Sequence, residues 1–94
     1  MNGRIYVAFA HIYEKQNMVD DALEAYQEAL DVFIDINNTL KSSDILTMMG
    51  FLYLKKEKIE KSKKCYKRSK NILKRIKTHK IPIEKLKEKI EQHN

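Results

Sequence analysis

Two glycines, one proline and one cysteine in 94 residues leave this chain few places to turn sharply and no means of cross-linking itself. So few turn-forming residues point to helices joined by short connections and argue against a sandwich or barrel of many short strands. A single thiol, Cys65, excludes an internal disulfide and a cysteine-rich zinc site, and it fits a reducing compartment. A lone cysteine of this kind is read as a buried small filler and not as a nucleophile. Uninterrupted apolar runs are also missing: no stretch approaches the roughly 20 residues that span a bilayer. The N-terminus lacks a basic segment followed by an apolar core and a small-residue cleavage site, so no signal peptide is expected and the cytoplasm is the expected location. His11, His79 and His93 stand apart, without the cysteine or carboxylate spacing a metal needs, so no metal or other cofactor is expected. Nothing resembles a phosphate loop, a nucleophile elbow or a pair of catalytic carboxylates, which argues against an enzyme.

What is present is charge and repetition. Charged residues make up 34% and hydrophobic residues 43%, the composition of a folded domain with a solvated surface. The net charge of +6 conceals a division. Residues 1–40 carry two basic and seven acidic side chains, net −5, whereas residues 41–94 carry 17 basic and six acidic, net +11. Such an asymmetry points either to head-to-tail contacts or to an acidic partner for the second half.

The sequence also matches itself at a period of 40 residues. Tyr13 returns as Tyr53, Tyr26 as Tyr66, Val19 as Ile59, Ala22 as Ser62, Ala25 as Cys65 and Ala29 as Ser69. Size and polarity class are kept at each position, which marks a stacked repeat. Apolar spacing predicts five helices. The first spans about 4–15, with Tyr6, Phe9, Ala10 and Tyr13 on one face, and the second about 19–36. The third is capped by Ser42 or Ser43 and runs to about Lys56, apolar nearly all round and therefore buried on most sides. The fourth spans about 59–77 and is mainly lysine outside its apolar stripe. Pro82 opens the fifth, which ends near His93.

Small residues at Ala10, Gly50, Ala22 and Ser62 let antiparallel helices approach closely, and tyrosines one turn away fill the gap beside the crossing. A large residue, a large–small pair and a tyrosine recur as Tyr6, Phe9-Ala10, Tyr13 and as Leu46, Met49-Gly50, Tyr53. In the second helix of each pair, Ala22, Tyr26, Ala29 recur as Ser62, Tyr66, Ser69. This pattern resembles the tetratricopeptide repeat family over about residues 3–77. The resemblance implies an all-α, α-solenoid superhelix: two antiparallel helix-turn-helix repeats (about 3–40 and 43–80) and a C-terminal capping helix (about 82–93), together one domain over 1–94. The family's usual unit is about 34 residues, so this chain is of a longer variety, with the extra length expected around Phe33 to Lys41.

The resemblance further implies a non-catalytic scaffold whose concave wall is lined by the first helix of each pair. It places Arg4, Val7, Ala8, His11, Thr47, Met48, Phe51, Lys55 and Lys87 near that wall. A peptide or helix of a partner protein, carrying some acidic residues, suits an apolar centre with basic edges. The family's carboxylate grip needs a lysine and an asparagine where Val7 and His11 stand, so that activity is not expected. The alternative reading is a basic adaptor: Lys55 through Lys80 hold 13 Lys or Arg against Glu57 and Glu60, a patch for nucleic acid or acidic membrane. Base-stacking aromatics are missing there apart from Tyr66, and lysines on an outer helix keep it soluble, so neither partner is favoured. Finally, Leu23 and Leu30 become Lys63 and Lys70 in the second unit, so the C-terminal end reads as finished. Ile5 and Ile12 correspond to Ile45 and Leu52, which face the preceding unit, so the N-terminal face is expected to meet either upstream repeats or a second copy in a homodimer.

Overall fold

The computed structural model describes residues 2–78 and 80–93. Five helices succeed one another: α1 (Gly3–Lys15), α2 (Val19–Asp35), α3 (Thr39–Lys55), α4 (Ile59–Arg75) and α5 (Ile81–Gln92). No described residue is in a strand, and no helix among them is long and apolar enough to cross a membrane. Helices α1 and α2 form one antiparallel pair, and α3 and α4 form the next. Helix α2 also packs on α3, and α5 rests on both α3 and α4.

The turns explain the regularity. Asn17, Asn37, Glu57 and Lys77 all lie in the left-handed region, with φ of 62°, 57°, 59° and 54°. Each sits two positions beyond the last residue of a helix and closes it in the same way. The next residue's N–H reaches back to a carbonyl five residues earlier: Met18 to Tyr13 (2.8 Å), Asn38 to Phe33 (2.8 Å), Lys58 to Tyr53 (2.8 Å) and Thr78 to Leu73 (3.0 Å). The left-handed residue donates inside that loop, as Asn17 does to Glu14 and Glu57 to Leu54. This is the Schellman closure, which satisfies carbonyls that a helix end otherwise leaves open. The left-handed positions are spaced every 20 residues, so the 40-residue repeat is built of two equal half-units.

Helix α3 begins earlier than the sequence indicates. Its cap is Asn38, whose Oδ1 accepts the N–H of Lys41 at 3.1 Å. Ser42 and Ser43, the expected caps, lie a turn inside the helix and are buried. Their hydroxyls donate to carbonyls of the preceding turn, Ser42 to Asn38 (2.9 Å) and Ser43 to Leu40 (2.8 Å). The extra length of the repeat therefore extends helices and not a linker.

Small residues govern the crossings. Gly3 and Gly50 lie inside helices, where an added Cβ would stand 2.7 Å from the Phe33 ring and 2.5 Å from Leu86 Cδ2. Gly50 thus lets α5 seat Leu86 against α3. The two pairs differ in what joins them. Between α1 and α2 the contact is apolar, with Ala10, Ala22, Tyr26 and Ala29 fully buried. Between α3 and α4 it is bridged by hydrogen bonds. Ser62 Oγ donates to the Gly50 carbonyl (2.8 Å), Ser69 Oγ donates to the Ser43 carbonyl (2.9 Å), and Thr47 Oγ1 lies 2.9 Å from Ser69 Oγ. Among the described residues no buried side-chain polar atom lacks a partner.

Left-handed backbone costs a side-chain-bearing residue about 1–2 kcal/mol, less for Asn than for Glu. Glu57→Gly removes that cost and gives back part of it as unfolded-chain entropy, for a net gain of about 0.5–1 kcal/mol. Lys67→Gly, in the exposed middle of α4, loses about 1 kcal/mol for the same loss of side chain. Urea denaturation of the two variants should move in opposite directions, and equal destabilisation would contradict the role assigned to the turn.

Candidate functional site

Helices α1 and α3 present their exposed residues beside one another across Tyr26 of α2. Tyr26 is completely buried. Its hydroxyl donates to Glu14 Oε2 at 3.3 Å and lies 3.8 Å from the sulfur of Met48. The His11 ring meets its edge with centroids 6.1 Å apart. One buried phenol therefore braces residues of α1 and α3 at the bottom of the face between them. Burial, and then the Glu14 carboxylate, push the Tyr26 phenol far above its ordinary value.

The candidate residues fall into three groups. Arg4, Ala8, His11, Lys55 and Lys87 are exposed. Val7, Met48 and Phe51 are half-buried: Val7 and Met48 pack on the larger core, and Phe51 on a smaller cluster with Leu54, Leu86 and Ile90. Thr47 departs from expectation. It is buried, and its hydroxyl is spent on the Ser43 carbonyl (3.0 Å) and on Ser69, so its side chain joins α3 to α4 and offers nothing to a ligand. The serines of α4 supply the reason, because they turn that side of α3 into a polar seam. Lys55 Nζ lies 3.4 Å from Asn17 Oδ1, tying the end of α3 to the first turn.

Glu14, Tyr26 and Asn17 are the parts of this face that residue patterning does not bring forward. Tyr26 is legible in the sequence only as a core aromatic, and the charge of Glu14 hides its contact with that buried phenol.

A second departure concerns Phe9. Its spacing with Tyr6, Ala10 and Tyr13 indicates a core position, yet its side chain is exposed, together with Ile5 and Ile12. No described helix packs on that side of α1.

The remaining chemistry is quiet. Burial pushes the Cys65 thiol up, opposed in part by Arg68, which suits a packing residue and not a nucleophile. No group of His, Cys, Asp and Glu suited to a metal ion occurs among the described residues. His79 lies outside the described residues, and His93 Nδ1 is 2.8 Å from the Lys89 carbonyl of its own helix. On α4, Lys63, Lys64, Lys67, Lys70 and Lys74 border one surface groove. The Lys70 ammonium stands over the Tyr66 ring at 5.8 Å, and Lys61 over Tyr53 at 5.7 Å.

Antiparallel helix pairs, stacked in a fixed register and closed by the same turn, define an all-α helical repeat protein. The tetratricopeptide repeat model matches residues 3–32 and again residues 43–72, two spans 40 residues apart, so the chain belongs to the tetratricopeptide repeat family. Members of this family are in general protein–protein interaction modules without catalysis of their own. No curated protein and no solved structure matches the chain.

The Tyr26 shift carries a sign. A phenol whose folded value is raised above the ordinary value of about 10 contributes stability that is complete below that pH and is lost as the pH rises through it. Urea midpoints should therefore fall as the pH climbs from about 9 to about 11, and fall less in Tyr26→Phe. Identical pH dependence in the two proteins would contradict the buried, Glu14-bonded phenol.

Proposed function

We propose that this chain is a non-catalytic cytoplasmic scaffold that takes a peptide or an amphipathic helix of a partner protein on the face formed by α1, α3 and α5. The observation that carries this reading is the row of half-buried apolar side chains, Val7, Met48 and Phe51, on consecutive first helices. Each rests on a packed core, so each offers apolar area on a rigid base, which lowers the ordering cost of binding. Arg4, His11 and Lys55 stand around them, and acidic residues of the ligand pair with the two permanent cations. The repeat register puts Glu88 and Glu91 of α5 at the places of Met48 and Phe51, so the ligand's acidic residues lie over α1 and α3 and not over α5. Thr47 is left out of the contact, for the reason given by its burial.

The competing reading is a basic adaptor that meets nucleic acid or acidic membrane through the lysines of α4. Salt separates the two, because phosphate binding releases counterions and weakens steeply with added salt, whereas apolar contact changes little.

Peptides selected on the protein from a random displayed library supply the test. Under the proposal they are rich in apolar and acidic residues, and in spectra of labelled protein they shift Val7, His11, Met48 and Phe51. Their affinity changes less than about threefold between roughly 50 and 300 mM salt. Reversing Arg4 and Lys55 to glutamate weakens them by about tenfold. Shifts confined to Lys67, Lys70 and Lys74, with tight single-stranded DNA or acidic-vesicle binding that salt abolishes, would replace the proposal with the adaptor reading.

A further inference from the structure

Helix α1 has a second face, away from α3, that repeats a surface used inside the molecule. Ile5, Phe9 and Ile12 lie at i, i+4 and i+7 and are 44%, 45% and 50% exposed. Their counterparts 40 residues on, Ile45, Met49 and Leu52, are 3%, 3% and 4% exposed. Residue type hardly differs between the two sets. What differs is that α2 packs on α3, burying Leu23 and Leu30, while no described helix packs on the outer side of α1.

Phe9 of this face also borders a groove of about 300 Å³ between α1 and α2, beside Ile5 and Ile12, which do not line it. Tyr6, Phe9 and Tyr13 make its apolar side. Asp21, Glu24 and Glu28, spaced on one face of α2, make its rim, and no basic residue lines it. At the three equivalent rim positions of the second unit the residues are Lys61, Lys64 and Arg68. Those belong to the unit that receives α2, a helix with six carboxylates and no basic residue. An ion pair between Asp20 of α2 and Lys56 accompanies that docking. The packing of α2 on α3 thus joins an acidic helix to a unit with a basic rim. The groove of α1 and α2 carries the opposite sign.

This charge pattern weighs against a second copy as the occupant. Two copies related by a twofold axis would set the three carboxylates of one rim against those of the other. A head-to-tail second copy would offer α4, which has the right charge but carries Lys63 and Lys70 where α2 inserts Leu23 and Leu30. We propose that the outer groove of α1 and α2 receives a basic amphipathic helix of a partner protein. Two large aliphatic residues seven positions apart fill the space over Ile5, Phe9 and Ile12, and flanking lysines or arginines meet Asp21, Glu24 and Glu28. This site is separate from the α1–α3–α5 face and stands or falls without it.

The probe is a synthetic 17-residue peptide copied from Val19–Asp35, with its acidic residues replaced by lysine and Leu23 and Leu30 kept. The unaltered acidic peptide is the control. The basic peptide should bind the intact chain and perturb Ile5, Phe9 and Ile12, and the acidic one should not. The exposed triple change Asp21→Lys, Glu24→Lys, Glu28→Lys should weaken the basic peptide by about tenfold or more and admit the acidic one. Circular dichroism verifies that this variant stays folded. Equal binding of both peptides, or of neither, overturns the proposal. So does a concentration-dependent dimer that Phe9→Lys dissolves, which would make a second copy the occupant.

Discussion

Helix α3 is the element on which the other four depend. It packs against α2, α4 and α5, whereas α1 touches only α2. The buried core falls into two clusters, and α3 alone places buried side chains in both: Ile45, Leu46, Met49 and Leu52 in the larger, Leu54 in the smaller. Each such side chain contributes about 1.5–3 kcal/mol when removed from water. A repeat of this kind is stabilised mainly between neighbours, so stability is graded along the chain and greatest where neighbours exist on both sides. Its nearly all-round apolarity, which is wasteful in an outer helix, is the signature of that central place.

The second constraint is the turn. A left-handed residue every 20 positions gives α2, α3 and α4 the same length of 17 residues and returns the chain to the same register each time. The 40-residue repeat is legible in the residues because packing conserves size class at the tyrosines and small residues. The 20-residue half-period is not. Only Asn17 and Asn37 carry the residue type that favours left-handed backbone, while Glu57 and Lys77 adopt it because the flanking helices leave no other way to reverse. The same blind spot moves the start of α3: Ser42 and Ser43 look like caps, yet Asn38, fixed by the turn before it, takes that role. Helix identity and order are readable from apolar spacing, since spacing reports a face. Whether a given face is covered depends on what packs there, which no local pattern encodes. Phe9 therefore reads as core and is exposed, and Thr47 reads as wall and is buried.

Charge reflects the architecture. The acidic first half and basic second half meet where α2 enters the second unit. The ion pairs Asp20–Lys56 and Asp44–Lys80 each link one helix pair to the next helical unit along the chain. Lys56 holds the Asp20 carboxyl below its usual range. Exposed pairs of this kind add little stability, but they discriminate strongly between helices of opposite sign. The division of charge thus follows the order in which the helical units pack. An interaction module needs a rigid base and an unfilled surface. Here the base is the α2–α3–α4 centre, and the surfaces proposed for binding are the face across Tyr26 and the outer side of α1.

Residue-resolved native-state hydrogen exchange tests this account most directly. It predicts that amides of α3 exchange only through global unfolding, while those of α1 and α5 open earlier and at clearly smaller free energy. Equal protection in all five helices, or an α1 as well protected as α3, would contradict a structure centred on α3 with an open face at α1.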